Sequence, residues 1–155
     1  MNNKSDYRQV IEEKGFLVST IVGVSMYPLL RQRKDSVHIV KITEPLKKND
    51  VILYQRDSGL YVLHRLIKII DGKYVFCGDN QWQKEYGITD KNIIGIMTGY
   101  YKKEKYYSVN TFKFKLYTWF INITRPLRRL RDFLKRTIKK IIGKGWFYAW
   151  KYYFH

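Results

Sequence analysis

A single cysteine, Cys77, leaves this chain of 155 residues without an internal disulfide, and a lone thiol fits a reducing compartment. Histidine is almost as scarce: His38, His64 and His155 are the whole set. Three scattered imidazoles and one thiol have no zinc-ligand spacing, so neither a metal nor any other cofactor is expected. No apolar run is long enough to cross a bilayer. Gly15–Met26 comes nearest and falls short of the roughly 20 residues a spanning helix needs. The first fifteen residues mix acids and bases and do not read as a secretory signal. The expected location is therefore the cytoplasm, with attachment to the inner face of the cytoplasmic membrane as the further option. Acidic side chains are few as well, 13 against 30 Lys and Arg, for a net charge of +17. Residues 111–155 hold 12 of those bases and one acid, Asp132. Such a balance implies an anionic partner: lipid headgroups, nucleic acid or an acidic peptide.

The chain is long enough for one domain with an appendage, and its 45% hydrophobic content supports a real core. Lys4–Lys14 reads as a short amphipathic helix ended by Gly15. Phe16–Val24, Ser36–Ile42, Val51–Gln55, Gly59–Ile70, Lys73–Cys77 and Ile93–Tyr101 read as strands. Asp57-Ser58-Gly59 and Asp71-Gly72 are turns between them, and Trp82–Asp90 reads as a polar loop. Short strands at regular spacing predict a mostly β, barrel-like domain over 16–110, after an N-terminal helical segment over 1–15. From residue 111 the pattern changes. Thr124-Arg125-Pro126 predicts a helix start. Leu127, Leu130, Phe133, Leu134, Ile138 and Ile141 then recur at helical spacing against a face of Arg and Lys. Aromatics crowd both ends, Tyr117–Phe120 and Trp146–Phe154. A basic amphipathic helix with aromatic flanks has the composition of an interfacial membrane helix.

One stretch carries chemistry: Gly23-Val24-Ser25-Met26-Tyr27-Pro28, taken with Leu63-His64-Arg65 and Gly78-Asp79-Asn80. A serine hydroxyl is a poor nucleophile until a base takes its proton and a third group orients that base. Ser25, His64 and Asp79 could supply those roles. Each also has a plainer explanation: a turn-capping serine, a half-buried strand histidine and a turn-forming aspartate.

These boxes resemble those of the signal peptidase I-like serine peptidases of the S24/S26 type. Ser25-Met26-Tyr27-Pro28 is similar to the catalytic-serine box, and Leu46–Tyr54 to the family's Gly-Asp-Val-Val strand, with Asn49 where glycine is usual. Leu63–Ile67 resembles the segment that carries the base. Histidine there points to the endoplasmic-reticulum and archaeal-like branch. Gly78-Asp79-Asn80 resembles the Gly-Asp-Asn turn. The resemblance covers about residues 16–98 and lacks the membrane span that most members carry before the serine. It implies a β-barrel-type catalytic domain and an acyl-enzyme on Ser25, with His64 as general base. Asp79 or, as a stand-in, Glu85 would complete the site. The Ser25 N–H would face the oxyanion, since Gly23 lacks the hydroxyl that some relatives place there. The substrate, a peptide or precursor protein, would add as a strand beside Ile21–Val24 and Tyr61–Leu63, making Gly23, Val24, Met26 and Leu63 the binding residues.

Two other functions compete. A self-cleaving repressor uses lysine as base and needs a helix-turn-helix that the 24 residues before Ser25 cannot hold. A non-catalytic β scaffold would use the basic tail on an anionic membrane or on nucleic acid, with the arginine-rich helix and tryptophan-rich ends favouring lipid.

Overall fold

A computed structural model describes the backbone of residues 6–153 and the side chains of residues 6–138. The chain forms a mostly antiparallel β structure between two helices. Helix α1 (Tyr7–Lys14) is capped by Asp6, whose carboxylate accepts from the Arg8 N–H at 3.0 Å, and is stopped by Gly15 at φ +78°. Eight strands follow: β1 (Phe16–Thr20), β2 (Ser36–Val40), β3 (Val51–Gln55), β4 (Tyr61–Ile70), β5 (Lys73–Cys77), β6 (Glu85–Ile88), β7 (Ile93–Lys102) and β8 (Lys105–Ser108). They lie in the order β1-β2-β7-β3-β4-β5-β6, with β8 pairing β7 beyond the end of β3. Helix α2 (Phe112–Tyr153) closes the chain.

Strand β3 shows why this sheet holds together. Successive side chains on a strand point to opposite faces. Val51 and Leu53 enter one core with Ile11, Met26, Leu30, Ile39 and Met97. Ile52 and Tyr54 enter a second with Leu66, Phe76 and Ile93. A strand buried on both faces tolerates no polar alternation, and Val-Ile-Leu-Tyr has none. Asp71-Gly72 makes the β4–β5 turn with φ of +47° and +71°, as a type I′ hairpin requires.

Three expectations need correction. Trp82–Asp90 is not all loop, because Glu85–Ile88 pairs with β5. Strand β8 had no signal; its turn places Lys103 and Glu104 at positive φ without glycine or asparagine. Helix α2 starts at Phe112, where Thr111 Oγ1 accepts from the Phe114 N–H at 3.3 Å, and not at Thr124. Pro126 lies inside it and removes one helical donor. The Arg128 guanidinium fastens the turn before it, donating to the Ile121 carbonyl and to Thr124 Oγ1 at 3.1 Å each.

The helices are not loose ends. Ile11 belongs to the first core, with Phe114 and Tyr117 packed against it, and Ile121 is 1% exposed. The side chains of Trp146–Phe154 and His155 lie outside the described residues. No helix among the described residues is long and apolar enough to cross a membrane.

Candidate active site

The serine segment follows β1. The Ile21 N–H donates to the Asp35 carbonyl at 3.1 Å, and Gly23 turns the chain at φ +95°. One helical turn then forms, with the Leu30 N–H on the Met26 carbonyl at 3.0 Å. Met26, Leu29 and Leu30 are at most 4% exposed and anchor that turn in the core. Burial of each contributes roughly 1.5–3 kcal/mol. Ser25, between Gly23 and this anchor, stays partly exposed.

Gly78-Asp79-Asn80 holds the segment from the far side. The Asn80 N–H donates to the Ser25 carbonyl at 2.7 Å, and Asn80 Nδ2 donates to the Val24 carbonyl at 3.2 Å. A Cβ on Gly78 would sit 2.7 Å from the Ser25 carbonyl oxygen, so the approach requires glycine. Asp79 is fully buried and accepts from Arg65 Nε at 2.8 Å and Nη2 at 2.7 Å, and from the Tyr117 hydroxyl at 3.1 Å. Arg65 also donates to the Asn49 carbonyl and to Thr118 Oγ1. This sealed bidentate pair joins β4, the Gly-Asp-Asn turn and α2. Asp79 therefore positions the turn and is not hydrogen-bonded to the imidazole; of the two acids named from the sequence, Glu85 is the one beside it.

His64 and Arg65 are neighbours on β4 and point to opposite faces. His64 is 2% exposed, with Nδ1 at 3.1 Å from the Tyr54 hydroxyl and 3.3 Å from Glu85 Oε1. Glu85 sits at the start of β6 and takes a two-pronged hold from Arg56, Nε to Oε2 at 2.9 Å and Nη2 to Oε1. Burial works to raise the Glu85 carboxyl, but hydrogen bonds from His64 and Arg56 outweigh it and hold its pKa down at about 2. Burial and the nearby Glu85 push the Tyr54 phenol up, so it stays protonated beside that carboxylate. Glu85 Oε1 offers an acceptor to an N–H on Nδ1. A neutral ring with its proton on that side has the lone pair a general base needs on Nε2.

Ser25, Met26, Leu63 and His64 line one cleft of about 440 Å³, with Arg56 and Gln81 at its rim. Its walls are β1 with Ile21 and Val22 on one side and Tyr61–His64 on the other. Among the described residues both walls have strand edges to spare: β1 pairs only with β2, and β4 pairs with β5 only from Arg65 onward. Gly23 and Val24 lie just outside the cleft, Val24 57% exposed. Among the described residues no hydrogen bond joins Ser25 to His64, and the Ser25 N–H has no acceptor. Of the other candidates, His38 is tied to Thr98 Oγ1 at 2.8 Å and stacked on Phe16. Cys77 is buried, and burial pushes its thiol up.

Sequence reasoning missed Tyr54 and Arg56 and ranked Glu85 second. Tyr54 was open to discovery through register, because Ile52 faces His64 across the β3–β4 ladder and Tyr54 lies two residues along the same face. Arg56, beyond the end of β3, carries no such signal. No group of three or more His, Cys, Asp or Glu that could hold a metal occurs among the described residues. No protein-family model matches this chain, and no curated protein matches it.

Proposed function

We propose that this protein is a serine endopeptidase acting through an acyl-enzyme on Ser25, in a β-barrel-type domain like that of the S24/S26 signal-peptidase-like enzymes. The observation that carries this reading is the His64 environment. A buried imidazole has a carboxylate at Nδ1 and shares a cleft with a serine whose own N–H is free. A peptide enters as an extended strand between the spare edges of β1 and β4. Ser25 Oγ attacks the scissile carbonyl carbon while His64 Nε2 takes the hydroxyl proton. Glu85 and Tyr54 stabilise the imidazolium at Nδ1, and the Ser25 N–H donates to the oxyanion. Collapse breaks the C–N bond, and the amine leaves with the proton from Nε2. Water, deprotonated by the same nitrogen, then hydrolyses the ester and restores Ser25.

The missing Ser25–His64 hydrogen bond favours a second reading, a non-catalytic β scaffold. Catalytic hydrogen bonds often close only when substrate is bound, so a substrate separates the two. Incubation with a diverse peptide library, read by mass spectrometry, is expected to show new cleavage sites with wild type and none with Ser25→Ala. A folded wild type that cuts nothing, or a Ser25→Ala protein that cuts equally well, sinks the peptidase and leaves the scaffold.

A further inference from the structure

Between Phe112 and Ile138, α2 leaves ten large apolar side chains exposed. Trp119, Leu127 and Phe133 are each more than 60% exposed. At 3.6 residues per turn all ten fall within an arc of about 140°. The opposite face is the one that Tyr117, Ile121 and Arg128 press onto the β structure. The helix therefore uses one face to hold the domain and turns a second apolar face outward. A contiguous exposed stripe of this kind is costly in water and marks an interaction surface.

The borders of the stripe identify its partner. Lys113 and Lys135 flank it on one side, and Lys115, Arg129 and Arg136 on the other, all exposed. The single acid of this part of the helix, Asp132, is held by Arg131 Nε at 3.0 Å and lies toward the domain side. An apolar stripe between two rows of cations matches a surface that is hydrocarbon below and anionic above. We infer that α2 lies in the plane of an anionic phospholipid membrane, its outward stripe in the acyl boundary and its bases on the headgroups. Nucleic acid fits the bases but gives the aliphatic stripe no partner, and a second copy of the chain would set like charges against each other. The inference needs no chemistry at Ser25 and goes beyond the proposed activity. It touches that site at one point: Arg131, at the edge of the stripe, donates to the Asn80 carbonyl at 3.0 Å and to Asn80 Oδ1 at 2.9 Å. The helix seated on lipid is thus hydrogen-bonded to the residue that holds the serine segment.

Full-length protein is titrated with phosphatidylcholine vesicles with and without phosphatidylglycerol, at low and high salt. Binding is expected to be about tenfold tighter or more with phosphatidylglycerol, and to weaken with salt. Leu127→Glu/Leu130→Glu/Phe133→Glu is expected to stay monomeric and helical by circular dichroism and to lose vesicle binding. Lys113→Glu/Lys115→Glu/Arg136→Glu is expected to lose the preference for phosphatidylglycerol. Equal or absent binding to the two vesicle types overturns the inference. So does a wild-type dimer in light scattering that the triple-glutamate stripe variant dissociates, or oligonucleotide binding that this variant abolishes.

Discussion

Two arginine–carboxylate pairs lie one strand apart and do opposite work. Arg65–Asp79 is 0% exposed on both sides, and its spare donors and acceptors are taken by Asn49, Thr118 and Tyr117. Arg56–Glu85 is 41% and 24% exposed, and its carboxylate also faces an imidazole. The first pair is closed: every bond ends in the scaffold, so its charge has nothing left to act on. The second is open at one end, and that end is His64 Nδ1. What separates the two pairs is the third partner, not the pairing.

Breaking the closed pair should give the largest effect. Asp79→Ala leaves the Arg65 guanidinium buried and unpaired, and is expected to cost about 3–5 kcal/mol in urea unfolding. Arg65→Met/Asp79→Leu should recover much of that loss, because no charge is stranded. Glu85→Gln should do the reverse, changing stability less than Asp79→Ala does, since the pair is half open to solvent. Its acylation by a serine-reactive probe should slow about 100-fold, because the imidazolium loses its counter-charge. Equal stability losses for Asp79→Ala and Glu85→Gln would erase the distinction.

Smaller tests sharpen it. Gly78→Ala pushes a Cβ to 2.7 Å from the Ser25 carbonyl oxygen. It should destabilise the fold by about 1–3 kcal/mol and reduce labelling by moving the serine, although residue 78 belongs to neither pair. The mildest test is acid. The Glu85 carboxyl, held down at about 2, contributes stability that is present above the ordinary carboxylate pKa of about 4.3 and is lost as pH falls toward 2. Urea midpoints across that window should fall more steeply for wild type than for Glu85→Gln. Parallel curves would mean that Glu85 is not held by its partners.

The closed pair also marks where sequence reasoning stopped. Periodicity and turn residues placed Val51–Gln55 and Lys73–Cys77 at their observed bounds, and Asp71-Gly72 at its hairpin. They could not show Glu85–Ile88, whose Glu-Tyr-Gly-Ile is a strand only because β5 offers it an edge. With that strand unseen, nothing brought Glu85 near His64, and Asp79 stood nearer to it in the chain. Choosing between the two acids needed the partner of Arg65, a long-range fact: Thr118 and Tyr117 reach it from α2. The start of α2 was missed for a similar reason. Pro126 is a strong local signal for a helix start, but a helix already fixed to the domain through Tyr117 and Ile121 carries it in its interior. The serine and histidine were picked out by motif, and both line one cleft.

The most direct test of the central claim, that Glu85 and His64 activate Ser25, is a mapped adduct. The protein is treated with a fluorophosphonate probe, digested, and the modified residue located by mass spectrometry in wild type, His64→Ala and Asp79→Asn. The account predicts an adduct on Ser25 in wild type, none in folded His64→Ala, and an adduct retained in whatever fraction of Asp79→Asn remains folded. A folded wild type left unmodified, or an adduct on Ser25 that survives His64→Ala undiminished, would contradict it.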